Sequence, residues 1–369
     1  MANPLSGLKP ALEVLAQNVD ILPATGQAVE DLMRPDQEEV EDEILNGDAL
    51  QAGVLIESPS RDLYRPTPAL PRRERHFFRY FLDGSRRSYF IGTALERDRS
   101  TPIQMAQIGA AVIHRLDDGS VKAVRSESKL MLLLAKDSVS DHVWEQLKAQ
   151  TGEDVLLEDI TEEDQLNGPI AGTVDLRTRG GGKVNWAMHR LEIKLVNSLP
   201  ERGEDEWAII DGSLNFDPPI LTPNTIGVAK SFSKRPVFTI GRGPRSDRYP
   251  LYRLLSGLPV AHRTCAFSAK SGQLAFWYVR MREQREVDYP LMGVIKVEMR
   301  NPSGEAVPSE KIDLVSRALV AERHVTPHGR DRRWHVHLYP IYLAEQVIKN
   351  RFFSQEVIHS AIRWPTPVA

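Results

Sequence analysis

One cysteine, Cys265, is all the chain contains. That excludes a disulfide framework and any cysteine-rich zinc site, and it fits a reducing interior. Charge of one sign is also lacking: 47 Lys+Arg against 50 Asp+Glu leave a formal net charge of -3. Nothing therefore pulls the whole molecule toward nucleic acid, although a local basic patch can still do so. Long hydrophobic runs are missing as well. The most apolar short run, LMLLLA at 130–135, is far below the ~20 residues that a helix needs to cross a bilayer. The start, MANPLSGLKPALEVLAQ, lacks the basic opening and unbroken apolar core of a signal peptide. The expectation is a cytoplasmic protein with no membrane partner. What remains is ordinary globular composition over 369 residues, 41% hydrophobic and 26% charged, enough for one large domain or two smaller ones.

Residues 1–70 differ from the rest. Leu8, Leu12, Leu15 and Val19 recur at helical spacing, which predicts a short amphipathic helix. The acidic DQEEVEDE and the proline-spaced SPSRDLYRPTPALPRR follow, and the segment reads as an N-terminal arm or linker ahead of a domain at 71–369. The body opens with HFFRYFLDG and RSYFIGTALE, read as a β-hairpin turning at Asp-Gly-Ser. A second antiparallel pair, AQIGAAVIHRL and VKAVRSESKLMLLLA, turns at Asp-Asp-Gly-Ser. SDHVWEQLKAQ reads as a helix capped by Ser140. A glycine break at Gly180, Gly181 and Gly182 precedes a strong helix, NWAMHRLEIKLVNSL, with Met188, Leu191, Leu195 and Leu199 on its apolar face. The strands EWAIIDGSL and TIGVAKS come next, then YPLYRLLSGL (helix), a hairpin in TCAFSAKSGQLAFWYVRM, a strand at LMGVIKVEM, and helices in KIDLVSRALVAE and YLAEQVIKNRFF. Antiparallel strands followed by helix–strand alternation predict an α/β fold, a mixed sheet flanked by helices.

Asp-Gly-Ser occurs twice after an apolar run, at Asp83 and again at Asp211. Both copies are open to a plain reading as turns. The sharper reading is that two strands carry carboxylates into one site. Glu192, on the helix just before the second strand, shares a row with Met188 and Val196 and leans toward the sheet. Three acids brought together repel one another unless a cation lies between them. Oxygen ligands without cysteine favour Mg²⁺ or Mn²⁺, and a pair of such ions suits phosphodiester hydrolysis. Lys230, on the strand after Asp211, is placed to neutralise charge growing on a phosphate. Taken singly, Glu192 also reads as a half-exposed helix residue and Lys230 as a surface charge.

The order of these elements resembles the NurA family of nucleases. The likeness is carried by Phe81-Leu82-Asp83-Gly84-Ser85, by Glu192 ahead of Ile210-Asp211-Gly212-Ser213-Leu214, by Gly227-Val228-Ala229-Lys230, and by Tyr339-Pro340-Ile341-Tyr342-Leu343. It runs from about residue 76 to 350. The resemblance implies an RNase H-like core with extra hairpins and helices, and a homodimeric Mn²⁺-dependent (or Mg²⁺-dependent) DNA nuclease. Its partner would be a HerA-type hexameric ATPase that feeds DNA ends to it, in end processing or anti-phage defence. Asp83, Glu192 and Asp211 would hold the metal, with Lys230 and Tyr339 as further active-site members. The family commonly has a histidine on the helix after the Tyr-Pro segment. LAEQVIKN has none, and His337 is the candidate replacement.

Two basic stretches are candidate DNA contacts, since phosphates dominate nucleic-acid affinity. One, KRPVFTIGRGPRSDR, holds Lys234, Arg235, Arg242, Arg245 and Arg248. HGRDRRWHVH holds Arg332, Arg333 and Trp334, a combination able to stack on a base. Ordinary solvated loops are the alternative reading of both, with partner docking a further one for the second. His335 and His337 alternate at strand spacing. GGGK at 180–183 is no phosphate-binding loop, because Arg177 and Val184 stand where that motif needs a glycine and a Ser or Thr. Any motor would come from another chain. The competing functions are a non-catalytic adaptor that caps or regulates an ATPase ring, and a nuclease or resolvase of the same core that needs no motor.

Overall fold

The aromatic and branched run that begins at Phe78 does not stop at Asp83. In the computed structural model it continues as one strand, β4 (Phe78–Glu96), straight through Asp-Gly-Ser. Asp83, Gly84 and Ser85 lie opposite Ala111, Ala110 and Gly109 of β5 (Arg99–Arg115) in unbroken antiparallel register. The expected hairpin at residues 83–85 is therefore corrected: the chain turns after Glu96, where Arg97 adopts a positive φ of 58°. A small-residue run on β5 pairs with the polar triplet, so nothing forces a turn there. The second hairpin is as read, with β6 (Val121–Leu134) returning after Asp117-Asp118-Gly119-Ser120.

The structure describes residues 5–24, 55–59, 62–71, 76–152, 155–161, 175–214, 222–234, 236–240, 247–269, 272–285, 287–323, 334–362 and 364. Within them one mixed sheet gathers twelve strands. Around β4 the order is β6-β5-β4, all antiparallel, and then β8 (Trp207–Asp211) and β9 (Thr225–Ala229), both parallel to β4. β7 (Val155–Asp159) lies outside β6. Beyond β9 come β15 (Val294–Arg300), β14 (Leu274–Arg280), β12 (His262–Thr264) and β3 (Tyr64–Pro66).

Three apolar clusters build the core. One lies under α3 (Leu176–Asn197), which packs Val184, Met188, Leu191 and Leu195 on the sheet. Gly180 to Gly182 fall inside this helix rather than breaking it. The close approach explains Gly180, because a Cβ there would lie 1.8 Å from Gln104 Oε1. A second cluster covers the opposite face with α5 (Ser309–Glu322) and α6 (Tyr339–Lys349). The third closes the far ends of β4 to β6 with α1 (Lys9–Asn18), α2 (Asp141–Gln150) and α7 (Gln355–Ala361). Ser140 precedes α2 without a side-chain cap, its backbone amide donating instead to Glu96.

Much of the expected arm is woven into this body. Leu8 and Leu15 of α1 are buried, and β1 (Asp20–Pro23) pairs with β4. Further on, Glu57 meets the fully buried Arg263 guanidinium. Such a pair is costly to break from one side, so it anchors this stretch. The acidic run at 36–43 lies outside the described residues.

Candidate active site

Where β8 stops, four elements leave polar side chains together. Leu82 stands opposite Ile210 in the parallel pairing of β4 and β8, so Asp83 and Asp211 come next on neighbouring strands. Phe81 and Ile209 belong to the cluster beneath α5 and α6, whereas Leu82 and Ile210 face α3. Alternation along a strand then turns both aspartates to the α6 face. β9 puts Val228 opposite Asp211. Two residues on, Lys230 returns to that face and its Nζ donates to Asp211 Oδ2 at 2.7 Å.

Glu192 arrives from the α3 side. The Gly84 amide donates to its carboxylate, at a level of β4 that the β8 ladder does not reach. A Cβ on Gly84 would sit 2.8 Å from Glu192 Oε1 and 2.9 Å from Met188 Cγ, so any side chain there would displace Glu192 or Met188. His189, one turn earlier, donates from Nδ1 to Glu192 Oε2 at 2.6 Å. The Asp211 loop is fastened separately. Gly212 has φ 106°. Ser213 Oγ and the Leu214 amide donate to Glu298 Oε2 at 2.6 and 2.7 Å. Burial would raise the Glu298 pKa, but Lys296 and these hydrogen bonds outweigh it and hold the group below its ordinary value.

The balance of charge is unfavourable to ionised carboxylates. Burial first, then Asp211, push the Asp83 carboxyl well above its ordinary range; Lys230 opposes this, while Glu345 and Glu192 add to it. Glu192 is also raised by burial, with His189 working against the shift. Asp83 is 7% exposed. An all-oxygen donor set is the chemistry that a hard divalent cation takes. The set is not drawn tight: among the described residues no three His, Cys, Asp or Glu are grouped closely enough to hold an ion. Lys230 engages Asp211, and His189 and Gly84 engage Glu192.

No protein-family model matches this chain. No curated protein matches it either.

The structure thus brings Asp83, Asp211, Lys230 and Glu192 together, with Asp83 in mid-strand rather than at a strand end. His337 is buried just ahead of α6, and Tyr339 opens that helix half exposed, its ring stacked on Tyr342 at 6.5 Å. The groups that weigh most on Asp83 do not include either of them. Residues 334–336 form a single 3-10 turn, so His335 and His337 do not alternate on a strand. His335 Nδ1 accepts from the Gly293 amide at 2.9 Å, and Arg282 covers the Trp334 ring at 5.0 Å. Lys234 lies over Phe232 at 5.8 Å, and Arg248 is exposed on β11 (Asp247–Pro250). Arg235, Arg242, Arg245, Arg332 and Arg333 fall outside the described residues.

Sequence reasoning missed His189, Glu298, Lys296 and Glu345. The His189 signal was legible as a histidine three residues before Glu192, a spacing that puts both on one helix face. Lys296 and Glu298 alternate within an apolar strand, which places two charges on one buried face. Among the described residues no helix is long and apolar enough to cross a membrane.

Proposed function

We propose that this chain is a metal-dependent deoxyribonuclease of NurA type, cutting DNA delivered from an end by a HerA-type hexameric ATPase. It would work as a homodimer in the cytoplasm, in end processing or anti-phage defence. One observation carries the reading: Asp83 and Asp211, far apart in sequence, stand side by side on adjacent parallel strands, with Lys230 bound to one and Glu192 entering beside the other. The central strand block supports an RNase H-like core. Three successive antiparallel strands are followed by a helix and two strands laid parallel along the free side of the first.

Asp83, Glu192 and Asp211 would hold Mn²⁺ or Mg²⁺, two ions in the fullest form. Such ions activate water and stabilise the departing oxygen of a phosphodiester. The protein's own groups prepare that chemistry. His189 and the Gly84 amide aim Glu192, and Lys230 holds Asp211 while offering positive charge to a phosphate. Glu298 fixes the loop behind Asp211. Tyr339 offers an exposed ring at the start of α6. Lys234 and Arg248, with the other basic residues of the two loops, would contact the DNA backbone.

Cleavage of end-labelled linear duplex tests the reading. Wild type and Asp211→Ala would be assayed with Mn²⁺, Mg²⁺ or EDTA, alone and with a HerA-type ATPase plus ATP. Cleavage that needs metal and Asp211 is the expected result. A second reading, a non-catalytic cap on the ATPase ring, is favoured by the ion pair that already occupies Asp211 and the hydrogen bonds that occupy Glu192. Binding to the ATPase with no cleavage under any condition would select it.

A further inference from the structure

Arg280, the last residue of β14, is 2% exposed. A buried guanidinium is tolerated only when its five N–H groups find acceptors, and here they do. The Leu258 and Leu255 carbonyls accept at 2.7 Å each, Met292 at 2.8 Å, Pro290 at 3.2 Å, and Gln284 Oε1 at 3.3 Å. Leu255 belongs to the short helix α4 (Leu251–Ser256) and Leu258 follows it, while Pro290 and Met292 lie in the turn from β14 to β15. One buried side chain thus staples α4 to that turn. α4 buries Leu251, Leu254 and Leu255 and leaves Tyr252 and Arg253 exposed. Tyr289 stands in the turn, and the Tyr252 and Tyr289 hydroxyls lie 3.2 Å apart. The two tyrosines are 43% and 49% exposed. Held by the staple, they form a preorganised aromatic surface.

Charge and place indicate what such a surface takes. Arg248 on β11, Arg253 beside Tyr252 and Arg285 in the turn are all exposed. Of the acids described in the turn, Asp288 accepts from the Arg285 amide at 2.9 Å and Glu283 is exposed. Three cations therefore flank the pair in a chain whose net charge is -3, and they complement phosphate. The turn also leaves the sheet at the end where the candidate site stands. Asp211 lies opposite Val228, Ala229 opposite Lys296, and Val294 opposite Arg280. β8 and β14 are three strand spacings apart, about 14 Å. We propose that Tyr252 and Tyr289 are a stacking platform for bases of single-stranded DNA, with Arg248, Arg253 and Arg285 taking its phosphates. A duplex hides the faces of its bases, so only an unpaired strand can use the platform. The link to cleavage rests on the nuclease reading, in which the platform would hold an unpaired strand near the carboxylates. The binding itself does not.

Fluorescence anisotropy of a labelled oligothymidylate with the full-length protein in EDTA tests this without cleavage. Tyr252→Ala and Tyr289→Ala are each expected to weaken binding about fivefold to a hundredfold, with a blunt duplex affected far less. Tyr252→Phe, which keeps the ring and loses the hydroxyl contact, is expected to bind like wild type. Arg253→Gln is expected to lower the slope of log affinity against log salt by about 0.7. Wild-type affinity in both alanine variants, equal losses on duplex and single strand, or no binding by the wild type would overturn the proposal. So would dissociation of a dimer in sedimentation with oligonucleotide binding unchanged, which would assign the surface to a second copy of the chain. If the alanine variants lose the oligonucleotide but the wild type cleaves nothing with Mn²⁺, the platform stands and the nuclease reading falls. Asp211-dependent cleavage with wild-type binding in the alanine variants would reverse that.

Discussion

In the first Asp-Gly-Ser the chain runs straight on; in the second it turns away. Gly84 sits in mid-strand, and its missing side chain makes room for the Glu192 carboxylate. Gly212 adopts φ 106° with open space around its absent Cβ, so there the backbone angle is what requires glycine. One glycine answers a demand for volume and the other a demand for conformation. Their aspartates differ as well. Asp211 has a lysine at 2.7 Å, whereas Asp83 faces mainly other carboxylates. The same tripeptide thus supplies an ion-paired acid at a strand end and, within a strand, a buried one surrounded by other acids. A site that must attract a cation needs the second kind.

Removing either carboxylate is the harshest test of this pairing. Asp83→Ala and Asp211→Ala are each expected to bring Mn²⁺-dependent cleavage down to the EDTA background; activity surviving in one of them would show that the copies do not act together. The glycines come next. Gly84→Ala is expected to cost about 1–3 kcal/mol through overpacking against Glu192 and Met188, and to reduce cleavage by displacing Glu192. Gly212→Ala is expected to cost about 1–2 kcal/mol through backbone strain alone. Urea unfolding measures both, and Mn²⁺ affinity should fall only in the first. Equal effects on affinity would erase the distinction between volume and conformation.

The smallest effect is on pH. Burial raises the carboxyls of Asp83 and Glu192, so the folded protein binds these protons more tightly than the unfolded chain. Their contribution to stability is complete below the unfolded values of about 4. It is lost as pH rises through the elevated folded values. Metal-free wild type should therefore lose stability across that window, and Asp83→Asn should lose less. Urea midpoints from pH 4 to 8 would show it; identical slopes would contradict the assigned burial of charge.

Much of this was legible in the sequence, and the failures have physical causes. Period-two and period-3.6 patterns located the second hairpin, α3, α6 and the strands carrying Asp211 and Lys230, because those faces are buried in the usual way. Helical rows also turned Glu192 toward the sheet. The turn expected at Gly84 failed because local preference for Asp-Gly turns yields to a continuous ladder with β5. The break expected at Gly180 failed because a glycine that permits close packing looks, in sequence, like one that ends a helix. Glu345 was invisible for a different reason. Its influence on the Asp83 carboxyl depends on how α6 packs over β4, a tertiary property that no local pattern encodes.

The functional account stands on two distant carboxylates sharing one site, and the most direct measurement is the titration of the Asp83 carboxyl by NMR. It would be followed in metal-free wild type and in Asp211→Asn. The account predicts a midpoint well above the ordinary aspartate range in the wild type, and a clear fall toward that range when Asp211 loses its charge. An ordinary midpoint in the wild type, or one that ignores the Asp211 substitution, would contradict it.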